Sequence, residues 1–221
     1  MTTRPESLRH DEVRRLTGRD DAVILEIGSN DGADTAELLR YHPRAKIYCF
    51  DCEPRAIEKW KRRRHFGDRA QLFEVALDET EGEQLFWQSG GKPTPEYPEE
   101  WHMSGSLCRP TGHLAYSPWC KFSTQIRVAT VPLDVWAETY LPDGTVDFMW
   151  IDVQGAEGRV FRGGKNVLSR TRYVKAEAHV GEMYEGQPTE AEMAALLSGW
   201  TCLGRYGDDL LWQNQKVSCS W

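Results

Sequence analysis

The sequence predicts an α/β protein built on a mostly parallel open sheet that ends in an antiparallel hairpin. Short apolar runs rich in β-branched residues alternate with stretches of helical period: Val23–Ile27 precedes a helix-like stretch at 36–39, and Lys46–Phe50 precedes another at 55–64. The first run passes through a glycine-bearing polar turn, Gly28-Ser29-Asn30-Asp31-Gly32, straight into its helix. Strands of open α/β sheets deliver ligand-binding loops to the sheet edge in this way. The last two apolar runs, 200–205 and 210–213, are separated only by a polar link around Gly207-Asp208-Asp209. That spacing suits a hairpin and is too short for a parallel crossover.

A chain of 221 residues can bury a sizeable core without staples, and one domain spanning 1–221 is expected. Its appendages are an N-terminal helix at 6–17, with the sparse stripe Leu8, Val13 and Leu16 packing across the domain's edge, and an irregular insertion at 88–123. Net charge is −7, and like charges cluster only in the short run Lys59, Lys61, Arg62, Arg63 and Arg64. Among Ile57, Trp60 and Phe66 that run reads as the solvated face of a helix, so no nucleic-acid footprint is expected. The N-terminus opens no apolar leader and no run approaches a bilayer-spanning length, so the expectation is a cytoplasmic protein without a membrane partner. Six irregularly spaced cysteines are read as reduced thiols. Cys49 and Cys52 form a CxxC with no second pair, and His102, Cys108, His113 and Cys120 match no finger or knuckle.

The turn after the first strand carries the first chemistry. Gly28 and Gly32 remove side chains that would block a ligand, and the N–H groups of the helix start are free to donate. Glu26 beside them disfavours a phosphate and suits a ligand bearing an ammonium or sulfonium, such as S-adenosylmethionine. The dinucleotide fingerprint fails, because no glycine lies two positions after Gly28. An acidic residue at the end of the second strand of such a unit accepts hydrogen bonds from ribose hydroxyls. Asp51 is the first candidate and Glu53 the second, although Glu53 before Pro54 also suits a helix start. The third strand, 71–77, ends in Ala76 and Leu77, placed to form an apolar surface for adenine or to serve as ordinary core.

After a turn at 78–82 and a returning strand at 83–87, the insertion breaks the α/β rhythm. It is rich in Gly, Pro, Ser and Trp and has no sustained period. Its aromatic content argues against disorder, and it is read as a cap over the acceptor site. Trp87, Trp101 and Trp119 either stack on a flat acceptor or pin the loop to the core.

A strand at 124–131, a helix at Leu133–Tyr140 and a buried strand at Val146–Ile151 follow. The first charge beyond the last of these is Asp152, which the sheet delivers to its ligand edge. A helix at 157–168 is interrupted near Gly163-Gly164, and in the strand at 172–179 Lys175, Glu177 and His179 share a face. Thr189 and Glu192 form a capping box for the helix that ends at Ser198.

Ile24-Leu25-Glu26-Ile27-Gly28-Ser29-Asn30-Asp31-Gly32 with Thr35, Phe50-Asp51, Val75-Ala76-Leu77, Ser106-Leu107, Val131-Pro132-Leu133-Asp134 and Ile151-Asp152-Val153-Gln154-Gly155-Ala156-Glu157 occur in an order and spacing that resemble the FkbM family of methyltransferases. The resemblance covers roughly 23–197. Trp150 and Gln154 stand where relatives commonly have lysine and glutamate, and Asp51-Cys52-Glu53-Pro54 departs from the usual phenylalanine-glutamate-proline form. The family implies a class I methyltransferase (Rossmann-like) fold, with a central seven-stranded, mostly parallel sheet and an antiparallel last strand. It also implies S-adenosylmethionine as cofactor, held by Glu26, Gly28, Ser29, Asn30, Gly32, Thr35, Asp51, Glu53, Ala76, Leu77, Ser106 and Asp152, and O-methylation of a small-molecule or glycan hydroxyl.

Methyl transfer to a hydroxyl is an in-line displacement that needs alignment and removal of one proton. Asp152, Glu177 and His179 are the expected proton acceptors, and a divalent metal among them is a further possibility. Two other classes use the same features: a nicotinamide-dependent oxidoreductase, and a non-catalytic module that binds an adenosine ligand or glycan.

Overall fold

A computed structural model describes residues 7–63 and 66–217. The predicted helix at 6–17 therefore begins outside the described residues, as does the end of the one at 55–64. The strands are β1 Val23–Ile27, β2 Lys46–Phe50, β3 Ala70–Phe73, β4 Ala76–Leu77, β5 Gly82–Gly90, β6 Lys121–Val131, β7 Val146–Ile151, β8 Thr171–Glu177, β9 Trp200–Tyr206 and β10 Asp209–Asn214. The helices are α1 His10–Thr17, α2 Ala33–Tyr41, α3 Pro54–Arg62, α4 His113–Tyr116, α5 Leu133–Tyr140, α6 Glu157–Gly163, α7 Lys165–Ser169 and α8 Glu190–Leu196.

Seven strands form the central sheet in the order β3-β2-β1-β7-β8-β10-β9. The first five are parallel neighbours, whereas β10 runs antiparallel to both β8 and β9, as the hairpin spacing predicts. Strand order reverses between β1 and β7, the point at which open α/β sheets bind ligands beyond the carboxyl ends of their strands. Alternate residues feed a core on each face. Leu25, Ile27, Met149 and Ile151 pack with Leu133, Val160 and Phe161 on one side, and Ile24, Cys49, Phe148 and Trp150 pack with Leu38 and Val13 on the other. All six residues of β7 are buried, Asp147 among them, whose carboxylate pairs with Arg172 at 2.9 Å and accepts from the Val23 N–H at 2.9 Å.

Three expectations change. The third predicted strand is two: β3 stays in the central sheet, while β4 turns away and pairs with β6 in a separate three-stranded sheet, β4-β6-β5. The cap is less irregular than its composition suggests, because β5 and β6 run as a bulged antiparallel ribbon from both ends into the 88–123 stretch. Helix α1 lies on a sheet face and not across the edge. Leu8 and Val13 join the core there, and His10 stacks on Trp150 at 5.1 Å with the rings 4° apart. The interruption near Gly163-Gly164 is found between α6 and α7. A Cβ on Gly163 would stand 2.1 Å from the Asp78 carbonyl, so the break admits a close backbone approach.

Candidate active site

The glycine turn is fastened to the second strand before any ligand is considered. Gly28 and Ser29 donate their N–H groups to the Phe50 carbonyl at 2.9 and 3.0 Å. Asp51 completes the clasp, accepting from the Asn30 N–H at 2.7 Å and the Glu53 N–H at 2.9 Å. Burial lifts the Asp51 carboxyl to about 6, against the pull of those two N–H groups. Asn30 has φ +46°, a left-handed conformation that asparagine tolerates better than most residues.

A cavity of about 270 Å³ opens above this clasp. Gly28 and Asn30 come from the turn, Asp51 and Glu53 from the end of β2, and Val75, Ala76 and Leu77 from the β3–β4 bend. Asp152, Val153 and Gln154 come from the end of β7, and Phe86, His102, Met103, Gly105 and Leu107 lean in from the cap side. The lining fits an adenosyl ligand with an amino-acid tail. Its apolar strip suits a flat ring, Asp51 can face hydroxyls, and the buried Asn30 Oδ1 has no hydrogen-bond partner within the protein, leaving an acceptor for an N–H donor.

Several predicted residues do not reach this cavity. Glu26 lies beneath the turn, 1% exposed, accepting from the Thr35 hydroxyl at 2.5 Å and the Cys49 thiol at 3.5 Å. Burial raises its carboxyl to about 8, so at neutral pH it is mostly a neutral acid and not a counter-charge for a sulfonium. Thr35 is its partner, and Ser29 is likewise buried away from the cavity lining. Gly32 is required by packing: a Cβ there would meet Trp60 Cδ1 at 2.7 Å. Ser106 braces the turn after β7, donating to the Gln154 carbonyl at 2.7 Å. Glu53 lines the cavity, but its oxygens are already held by Arg55 and Gln88 and cap α3, so the helix-start reading wins.

The three expected proton acceptors are near neighbours in unequal positions. Asp152 lines the cavity, whereas Glu177 and His179 stand behind Gln154. Strand β8 ends at Glu177, and His179 folds back so that its Nε2 is 3.0 Å from Glu177 Oε1 and its Nδ1 3.3 Å from Asp208 Oδ2. The Glu177 hydrogen bond pushes the imidazole up to about 9, and with Asp208 it keeps His179 charged at neutral pH. An imidazolium cannot accept a proton, so His179 as placed serves Glu177 and Asp208 as a counter-charge and not, as the sequence leads one to expect, as a base. Among the described residues no group of three or more His, Cys, Asp or Glu side chains is arranged to hold a metal ion. The metal expectation for Asp152, Glu177 and His179 therefore has no geometric support.

Asp34, which His10 holds at 3.0 Å, His102 and Gln154 are cavity residues that sequence reasoning missed. Asp34 was in principle accessible, as an acid in the first turn of the helix after the glycine turn. The cap residues were not. They reach the cavity through pairings such as Trp87–Ser106 and Pro110–Tyr184, which no local period announces.

The buried Glu26 makes a prediction for stability. Its folded pKa is raised, so its contribution is fully present below about 4.5 and is lost as pH rises to about 8; Glu157, also raised to about 8 by burial, has the same sign. Glu26→Gln keeps an acceptor for Thr35 and is expected to flatten part of the decline in urea-unfolding free energy between those pH values. A variant whose decline is as steep as the wild type would remove Glu26 as its source.

Comparison with known proteins places the chain in a family. The model of the FkbM methyltransferase domain matches residues 26–208. The chain is 36% identical over 213 residues to the 2-O-methyltransferase NoeI of Sinorhizobium fredii (strain NBRC 101917 / NGR234), covering 94% of this chain and 86% of that protein. Its fold is similar to the crystal structure of the methyltransferase FkbM from Methylobacillus flagellatus KT, with a TM-score of 0.55 and 12% identity over 94% of this chain. This chain spans about half, 48%, of the length of that one. A similar match, TM-score 0.51 and 13% identity with 99% of both chains covered, is to an rRNA methylase from Streptococcus thermophilus. No helix among the described residues is long and apolar enough to cross a membrane.

Proposed function

The chain belongs to the FkbM methyltransferase family and is an S-adenosylmethionine-dependent O-methyltransferase; we propose that its acceptor is a hydroxyl on a sugar or other small natural product. Family membership sets aside the oxidoreductase and the non-catalytic binding module. The observation that carries our assignment of the site is the convergence, at the strand-order reversal, of Asn30 Oδ1, Asp51, the Val75–Leu77 strip and Asp152 on one cavity. Asn30 and Asp51 would hold the polar ends of the cofactor, and Ala76 and Leu77 would flank its adenine. When bound, S-adenosylmethionine supplies an electrophilic methyl group on a sulfonium. The protein aligns the acceptor oxygen with it, excludes water beneath the cap and takes up the hydroxyl proton at Asp152.

His102, Met103, Gly105 and Leu107 close the same cavity, so the cap helps to hold the cofactor as well as to select the acceptor. Shortening it is expected to weaken both, a change from the purely acceptor-selecting role read in the sequence.

Calorimetry tests the cofactor half of the assignment. S-adenosylmethionine and S-adenosylhomocysteine should both bind, and Asp51→Ala should weaken both by one to two orders of magnitude through lost hydrogen bonds to a charged group, about 1.5–3 kcal/mol. Unchanged affinity in a folded Asp51→Ala protein would remove Asp51 from the site. Transfer of labelled methyl to a panel of methyl glycosides tests the acceptor half. Cofactor binding with no glycoside methylated would point to another hydroxyl class.

A further inference from the structure

The turn after β7 stores backbone strain at one residue. Gln154 has φ +54°, in the left-handed region that side-chain-bearing residues rarely adopt. Gly155 beside it has φ +94°, and a Cβ there would meet Tyr184 Cβ at 2.7 Å, so the Tyr184 side chain packs directly on the turn. Such strain persists only where surrounding contacts over-determine it. Those contacts converge on the Gln154 amide. Its Nε2 donates to Asp152 Oδ1 at 2.7 Å and to Glu177 Oε2 at 2.9 Å. From the other side the hydroxyl of the fully buried Tyr184 lies 2.9 Å from Gln154 Oε1 and 2.9 Å from the Ser104 carbonyl of the cap. Two carboxylates on one side and a hydroxyl donor on the other fix the orientation of the amide, since a flipped group would set its oxygen against both carboxylates.

We propose that Gln154 is a positioning residue for methyl transfer, a bridge that holds Asp152 at the cavity and Glu177 behind it while Tyr184 ties the cap to the same point. The proposal rests on the reading that this cavity holds S-adenosylmethionine. An amide suits the post because its two N–H groups serve two carboxylates and it takes up no proton at neutral pH. Other charged groups flank the bridge without replacing it. Lys175 is held by Asp209 on β10 at 2.8 Å, His179 faces Glu177 and Asp208, and the Glu157 carboxyl turns toward the Val153 and Gly155 N–H groups at 3.3 Å. Glu177 is raised above the usual carboxylate range by burial and by Asp152, and Gln154 Nε2 is a donor that favours its charged form.

Gln154→Met nearly keeps the volume and removes the donor. In the full-length protein without ligand, a carboxyl-carbon NMR titration should show the Glu177 midpoint moving up by about one pH unit, a tenfold change in proton affinity. Gln154→Glu, which replaces the donor by a third acid, should move it the same way and serves if the methionine variant does not fold. Tyr184→Phe, which loses only the hydroxyl, should move it less. Calorimetry should then show the Gln154→Met preference for S-adenosylmethionine over S-adenosylhomocysteine falling at least about threefold from the wild-type ratio, as the Asp152 carboxylate, freed from the bridge, no longer keeps its place at the cavity. A space-filling role would leave the Glu177 midpoint where it is in folded variants, and that result overturns the bridge. A wild type that binds neither nucleoside would instead overturn the reading of the cavity, while the NMR titration would still decide the bridge.

Discussion

Replacing Gly28 by alanine is expected to destabilise the protein by roughly 3–5 kcal/mol, from backbone strain and overpacking acting together. Gly28 has φ +86°, and a Cβ there would lie 1.8 Å from the carbonyl oxygen of Asp152. The obstructing atom belongs to the backbone at the end of β7, whose own N–H is tied to the Ile27 carbonyl at 2.9 Å. Neither partner can yield without parting β1 from β7 at their carboxyl ends. For a domain whose whole stability is on the order of 5–15 kcal/mol, that loss is a large share. Urea unfolding measures it, and a Gly28→Ala protein within about 1 kcal/mol of wild type would show that the strands part more easily than the geometry implies. The sequence alone attributes the small side chain at 28 to ligand approach, which would let a bulky replacement abolish binding without unfolding. In the structure the space is taken by the protein itself, so binding and stability are expected to fall together.

How far the sequence could be read follows from which periodicities are local. Strands β1, β2 and β7 are mostly apolar runs, each with one charged residue, closed by polar turns, and the residue just past a strand end faces the sheet edge whatever the rest of the chain does. Asp51 and Asp152 were legible for that reason, and both line the cavity. Glu26 was misplaced because it sits inside β1. A two-residue side-chain period puts it on the face shared by Ile24, toward α2 and Thr35. His179 lies two residues past the end of β8 at Glu177, so the strand period that the sequence suggests does not reach it. The bend between β3 and β4 depends on a partner, β6, that lies beyond the insertion, and His102 and Met103 are brought to the cavity by contacts equally remote in sequence. Nothing within a short window of residues encodes such pairings.

Asp152→Asn is expected to lower methyl transfer by two to four orders of magnitude, the range for loss of a positioned proton acceptor. The asparagine keeps the shape and an oxygen for Gln154 Nε2, and the main-chain bond from residue 152 to Ile27 is untouched, so the fold should hold. Cofactor affinity should fall by no more than one to two orders of magnitude, since one hydrogen-bonded charge is worth about 1.5–3 kcal/mol and the shape is preserved. His179→Ala is the informative contrast. Its imidazolium faces Glu177 and Asp208 and does not line the cavity, so turnover should change less than tenfold, far below the loss for a base. Its effect should appear in stability. With a folded pKa raised to about 9 above an ordinary 6.5, His179 stabilises the wild type fully below about 6.5 and loses that contribution as pH rises through 9. The stability gap between wild type and His179→Ala should therefore close across that window. Initial rates on whichever glycoside the panel identifies, at pH 7.5, together with urea unfolding from pH 6 to 9.5, decide both parts. More than a tenth of wild-type turnover in a folded Asp152→Asn enzyme would leave catalysis to alignment alone, and a hundredfold loss in His179→Ala would return the proton to the imidazole.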